Sequence, residues 1–449
     1  MIKLIYRLLF LLVAGLWSFT VASADQTTAR IDLEQETRKE VVIAVPEFKL
    51  KGGLKDLEGL RGEAGSILDN DLKLSELFVL LSPAIYKDLG KTKLREERVA
   101  HRFWNQIGAQ WLITTDFALK SGGKIIEITF RLYDNVNERF LLGKRYTFEK
   151  NNLRRVIHRF ADEVVMQLTG KRGVAETKII FLSKDNEHRE IHVIDFDGSG
   201  RKQLTHDRTI SLNPAWSPDG NWIVYTSYGA NNPDLVIIDS IGKGIKKPIL
   251  RLPGLNAAPA WAPVKPQRIA MVLSKDQNSE IYILEKRRQL TRLTRHFNID
   301  TSPTWSPDGK KIAFTSDRSG TGAPQIYVMD ARKGDEGGVK RVSFGSSYND
   351  NPAWSPDGDK IAFTSRVGKK FQIRIYDLNT QKTEQFTTGR GENEQPTWSP
   401  DGRFIAYRHT ERGGTSQIYI KRLGSEKIRQ LTFISGGASS GAWSPYPKR

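Results

Sequence analysis

Apolar and polar positions follow two different periods along this chain, and the change falls near residue 175. Before it, helical spacing alternates with short apolar runs. Residues 41–45 are all apolar and stop at Pro46, which predicts a buried strand. Leu60, Ala64, Ile67, Leu68 and Leu72 lie on one side of a helix that begins near Gly59. A strand over 78–81 follows, then a helix over 95–106 closed by Gly108, then a strand over 111–115. Residues 124–133 and 140–148 predict a hairpin across the turn 134–137. Asn151 and Asn152 are placed to cap a last helix. Its stripe is Leu153, Val156, Ile157, Phe160, Val164 and Leu168, and Gly170 stops it. These signals predict an α+β domain over 41–170, in the order β-α-β-α-β-β-β-α, followed by a basic linker over 171–177.

From Lys178 the pattern is all-β. Pro-x-Trp-Ser-Pro-Asp-Gly recurs in full at residues 214–220, 303–309, 352–358 and 396–402. Worn copies lie around Trp261 and Trp443, the first without its Asp-Gly. The tryptophans stand at 216, 261, 305, 354, 398 and 443, a step of about 45 residues, which suits a propeller blade. Each period also holds a second strand such as 311–314, where large Ile312 and Phe314 alternate with small Ala313 and Thr315. A third strand and a fourth strand follow. Asp-Gly between strands predicts a tight primed turn. The phase of the repeat predicts closure. The β region opens at 178 with a second-type strand and ends at Trp443 with a spare first strand. The two complete each other, giving a six-bladed β-propeller over 178–449 shut by its C-terminal strand, with no open edge.

Composition narrows the setting. The chain of 449 residues has no cysteine, so disulfides and thiolate metal sites are excluded. Lys3 and Arg7 precede a short apolar run from Leu8 to Trp17, and Ala22, Ser23 and Ala24 have the form of a cleavage site. The expectation is a signal peptide over 1–24, cleavage between Ala24 and Asp25, and export. The formal charge of +18 then falls to +16, since Lys3 and Arg7 leave and no acid goes with them. A basic chain favours anionic partners, but export argues against nucleic acid. Residues 25–40 read as an extended charged segment. They are either a loose tail or, around Arg30, Ile31, Asp32 and Leu33, a strand that another chain adds to its sheet.

The α+β domain ahead of the propeller, Leu153-Arg154 with His158 and Asp162, Leu168 to Gly170, and the ending Ala442 to Tyr446 together resemble the TolB family of the Tol-Pal envelope system. The resemblance covers nearly the whole chain after residue 24. It implies a monomeric periplasmic adaptor, not an enzyme, without cofactor or metal. It also implies binding of the lipoprotein Pal by the propeller and of TolA by the N-terminal segment, in support of outer-membrane integrity and of invagination at division; other envelope proteins are possible partners. Two departures stand out: a more charged N-terminal segment, and the blade around Ala262 and Val264 without its Asp-Gly turn.

The search for chemistry agrees with a binding protein. Gly437 to Gly441 matches a nucleophile elbow, but no His or Asp follows it. His188 and His192 share no helical face, and His158 with Asp162 reads as a surface or capping pair. The repeated aspartates 219, 308, 357 and 401 are turn residues. A propeller hydrolase or lyase, or a binder of anionic polymers, are the alternative readings. The unlike polar residues just before each tryptophan strand are the candidate Pal-binding mouth. They are Asn213, Asn256, Asp300, Thr301, Asn349, Asp350, Asn393 and Glu394, with Asn351 and Gln395 beside them. The competing reading is that each bonds its own loop.

Overall fold

The computed structural model describes residues 41–448 except 53, 54, 57, 87–98, 186, 187, 286, 287 and 321. The expected signal peptide, its cleavage pair Ala24 and Asp25, the segment 25–40 and the start of the helix expected over 95–106 lie outside the described residues.

The N-terminal domain is one mixed sheet covered by helices. Its strands are β1 (Val41–Ala44), β2 (Lys49–Lys51), β3 (Phe78–Leu80), β4 (Trp111–Lys120), β5 (Ile125–Asp134) and β6 (Arg139–Glu149). Its helices are α1 (Leu60–Leu74), α2 (Pro83–Tyr86), α3 (His101–Gln106) and α4 (Leu153–Thr169). The sheet order is β3-β1-β4-β5-β6, with the short β2 also on β4. β1 runs parallel to both neighbours, and β4, β5 and β6 form an antiparallel meander. The apolar stripes of α1 and α4 meet one face of the sheet in a single core, where Phe160 stacks on Phe130 at 3.9 Å. Asn152 does not cap α4 with its side chain. A 3-10 turn, Lys150–Asn152, leads straight into the helix, so Asn152 never takes the extended conformation a capping side chain needs. At the other end Gly170 adopts φ 76° and its N–H returns to the Met166 carbonyl, because only glycine takes that left-handed turn without cost.

The second domain is a six-bladed β-propeller of antiparallel four-stranded sheets. The six tryptophan strands, Ser211–Trp216, Asn256–Trp261, Asp300–Trp305, Asn349–Trp354, Glu392–Trp398 and Ala438–Trp443, are the innermost of their sheets. They neighbour one another in a closed ring. The last of them pairs with Lys178–Asp185, Trp443 opposite Ile179, so the blade that opens the propeller is completed by the strand that ends it.

The Ser-Pro-Asp-Gly turns differ from the expected primed type. In the copy at 217–220 the Gly220 N–H returns to the Ser217 carbonyl, and only the glycine has positive φ, at 71°. That is a type I turn followed by a left-handed glycine. Proline pre-sets the second position of such a turn, and would not fit a primed one. Asp219 then accepts from the Ser217 hydroxyl at 2.6 Å and the Asn221 N–H at 3.1 Å, so the aspartate holds the loop.

Three of the repeat tryptophans hydrogen-bond across blades. Trp216 Nε1 donates to the Ala442 carbonyl, Trp305 to Ala260 and Trp398 to Ala353, each in the preceding blade. Trp443 donates to Thr177 Oγ1 at 2.9 Å and packs on Phe196 and Phe404. The two domains meet on the Asp-Gly side of the propeller. Lys171 pairs with Asp357, Arg422 donates to the Glu76 carbonyl, and Leu74 packs on the cluster around Trp443.

Deleting residues 442–449 should unfold the propeller as a unit. Trp443→Ala alone should cost about 3–5 kcal/mol, as large buried aromatics do. Chemical denaturation followed by tryptophan fluorescence checks both, and an unchanged midpoint in the truncated chain would contradict ring closure.

Candidate functional site

A propeller has two channel mouths. Here the Asp-Gly mouth faces the α+β domain, and the other is formed where the chain crosses from the fourth strand of one blade to the inner strand of the next. Each inner strand carries a β-bulge at that second mouth, between 212 and 215, 257 and 260, 301 and 304, 350 and 353, 394 and 397, and 439 and 442. At its centre one residue has positive φ: Asn213 49°, Ala258 48°, Ser302 52°, Asn351 51°, Gln395 56° and Ser440 49°. Such a conformation is uncommon outside glycine, and its sixfold recurrence marks it as part of the design. In five blades the next residue is proline, which has no ladder N–H to lose. These residues line a channel space of about 150 Å³.

The predicted site residues fall into two sets. Asn256, Asp300 and Asn349 are fully buried and Asn393 nearly so. They hold the crossing loops: Asn256 Nδ2 donates to the Pro233 and Leu252 carbonyls, and Asn349 and Asn393 donate to Gln325 and Gln372. Asp300 pairs with Arg318 at 2.8 Å, and burial pushes its carboxyl up to about 6 in spite of Ser316 and Arg318. All four side chains are withdrawn from solvent. Thr301, Asp350 and Glu394 lie one residue further on, half-buried, and Asn213 is exposed. Asp350 accepts from Thr315 Oγ1 at 2.8 Å and Ser302 Oγ at 3.2 Å, and Glu394 pairs with Arg408. The equivalent residues in the other blades are Leu212, Ala257 and Ser439, so one arc of the mouth is acidic and the opposite arc is uncharged.

Sequence reasoning passed over the apolar side chains around this mouth. Phe297 is 84% exposed and Phe433 79%, with Ile299, Phe344 and Ile210 also exposed. All five lie on loops that cross between blades. A signal does exist for two of them. Phe344 and Phe433 directly follow Ser343 and Thr432, whose hydroxyls accept from Ile326 and Ile418 and end the fourth strand. The next residue is therefore thrown clear of the sheet. The Gly437 to Gly441 stretch runs into an inner strand and presents no nucleophile elbow. Among the described residues, Asp71, His158 and Asp197 are the donors close enough together to suit a cation, and they lie at the domain junction, away from this mouth. No helix among the described residues is long and apolar enough to cross a membrane.

Comparisons with known proteins agree with this architecture. The family model described as the TolB beta propeller domain matches residues 165–447, and that of the TolB amino-terminal domain matches 29–141. The Tol-Pal system protein TolB of Desulfosudis oleivorans is 36% identical over 54% of this chain, which spans 55% of that relative's length. The Tol-Pal system protein TolB of Bordetella pertussis is 30% identical over 73% of this chain and 71% of its own. The crystal structure of TolB from Acinetobacter baumannii superposes with a TM-score of 0.76 at 26% identity, covering 91% of this chain and 98% of that one.

The buried and exposed sets should separate by stability. Asn349→Ala removes one of the two hydrogen bonds that the buried Gln325 side-chain oxygen accepts, leaving the one from Ser343, and should cost about 1 kcal/mol. Asn213→Gly, which tolerates the positive φ of this position, should stay within about 0.5 kcal/mol of the parent. Urea titration of the two variants measures the difference.

Proposed function

This chain belongs to the TolB family of the Tol-Pal system, and on that premise we propose that it is a periplasmic adaptor whose open propeller mouth binds Pal and whose N-terminal segment binds TolA. It acts by holding partners, without catalysis, and so supports outer-membrane integrity and invagination at division.

The observation that carries this reading is the collar of exposed apolar side chains around a polar, asymmetric channel mouth. Single exposed apolar residues are ordinary, but Phe297, Ile299, Phe344 and Phe433 share one rim, away from the face that the α+β domain uses. Aromatic anchors around a polar centre are the usual anatomy of a protein-binding surface. Inside the rim, Asn213, Thr301, Asp350 and Glu394 are the polar residues available for specificity, while Asn256, Asp300, Asn349 and Asn393 keep the loops in shape. Asp350 also counts against an anionic polymer as the ligand of this surface, since its carboxylate would repel it, whereas the charge of Glu394 is balanced by Arg408. Arg30, Ile31, Asp32 and Leu33, the proposed TolA-binding strand, lie outside the described residues. Strand addition suits their alternating pattern.

Phe297→Ser combined with Phe433→Ser should weaken capture of purified Pal by about 30-fold or more, as loss of aromatic anchors does. Melting should be unaltered, because both rings are exposed. Deleting residues 25–33 should abolish TolA binding and leave Pal capture intact. Pull-down and calorimetry with each purified partner measure these outcomes, and full-strength Pal capture by the double variant would refute the mouth assignment.

A further inference from the structure

A buried polar cluster joins the two domains and has no part in the channel mouth. Asp71 comes from α1, His158 from α4, and Asp197 from the propeller turn that follows His188–Asp195. Their side chains are 0%, 4% and 3% exposed. His158 Nδ1 lies 2.7 Å from Asp71 Oδ2, inside its own domain. Its Nε2 points across the boundary to Asp197 Oδ2 at 4.0 Å, and this buried nitrogen has no hydrogen-bond partner among the described residues. The Asp71 Oδ1 is likewise buried and without a hydrogen-bond partner among the described residues. Asp197 is fixed from its own side by the Ser199 N–H and hydroxyl at 2.9 and 2.7 Å, and Arg154 of α4 pairs with it.

The protonation of one ring decides how this cluster bonds. A neutral imidazole has a single N–H, so if Nδ1 donates to Asp71 then the Nε2 lone pair faces the Asp197 carboxylate. The imidazolium carries two N–H groups and satisfies both carboxylates at once. We propose that His158 is a proton-operated clamp between the α+β domain and the propeller: protonated, it bridges Asp71 and Asp197; deprotonated, it leaves Arg154 alone to hold Asp197 and loosens the junction.

The charges around the ring support a proton as the ligand. Asp71 faces it from α1, Asp197 from the propeller, and Arg154 from its own helix. Asp162, one turn further along α4, faces Asp71, and Arg429 of the neighbouring blade lies near Asp197. Burial alone would lower the imidazole's proton affinity. The hydrogen bond and charge of Asp71, with the charge of Asp197, outweigh burial and hold the ring above its ordinary value of 6.5. Burial also pushes Asp71 up, so the pair as a unit retains a proton. A divalent ion fits less well, because Arg154 already occupies the Asp197 oxygen it would need. Of Asp71, Asp197 and Arg154, only Asp197 belongs to the other domain, so its charge raises the ring's proton affinity in the docked state above that in the undocked one, and docking is favoured most where the ring is protonated. That stabilisation is lost as pH rises through the docked value, by up to about tenfold in docking constant per pH unit.

The chain has no cysteine, so Glu63→Cys and Lys243→Cys place a label on each domain of the full-length protein without background. Spin-label distance distributions should be narrow at about pH 6 and broaden at about pH 9. His158→Gln should be broad at both. Asp197→Asn leaves the α+β domain untouched, so it keeps the test open if His158→Gln fails to fold. It should remove the pH response and lower the His158 midpoint read from its ring proton by NMR. A distribution that does not change with pH, or a His158 midpoint at or below 6.5, would overturn the clamp. Narrowing at about pH 9 by added zinc ions, absent in His158→Gln, would also overturn it and make the cluster a metal site.

Discussion

The rest of the molecule depends on the pairing of Ala438–Trp443 with Lys178–Asp185. Until that strand docks, the blade that begins the propeller lacks its inner strand and two sheet edges stand open. Once it docks, the six inner strands surround one axis and every blade is covered on both faces by its neighbours. The covered faces explain why Ile312, Ala313, Phe314 and their counterparts in the second strands are buried whichever way they point. The tryptophan hydrogen bonds to the preceding blade follow from the same geometry, because they need the next inner strand at a fixed distance.

Closure also creates the two mouths and makes them unlike. On one, the Ser-Pro-Asp-Gly turns and Asp197 meet the α+β domain. On the other, six bulges with left-handed residues turn the inner strands into the channel, and the crossing loops carry Phe297, Phe344 and Phe433 outward. A partner held at this mouth sits at one end of the inner strands, and the domain junction lies at the other end. A clamp that responds to protons at His158 would therefore set how firmly the far domain follows the propeller.

The candidate site was partly legible in the sequence. The repeat located the mouth to within a few residues, since it marks where each inner strand begins. It did not separate neighbours such as Asp300 and Thr301. Asp300 is buried against Arg318, and Thr301 is half-buried, because alternate residues of a strand point opposite ways and only the assembled ring decides which way is in. The exposed phenylalanines were missed for a related reason: an apolar residue in a loop reads as cover for a core until the loop is seen to stand at a rim. His158 read as a helix-surface pair with Asp162. In the structure its partners are Asp71, 87 residues earlier, and Asp197, which belongs to the other domain.

By itself the sequence determined the two domains, the six blades and the manner of closure. All three rest on local periodicity and on the phase of a repeat, which are properties of neighbours along the chain. It also determined that the Asp-Gly copies are turn chemistry, because proline and glycine restrict their own backbone wherever they stand. The split between buried and exposed polar residues, the aromatic rim and the His158 cluster were decided only by tertiary structure. Each of these depends on which residues, distant in sequence, share a space from which water is excluded, and no local pattern encodes that.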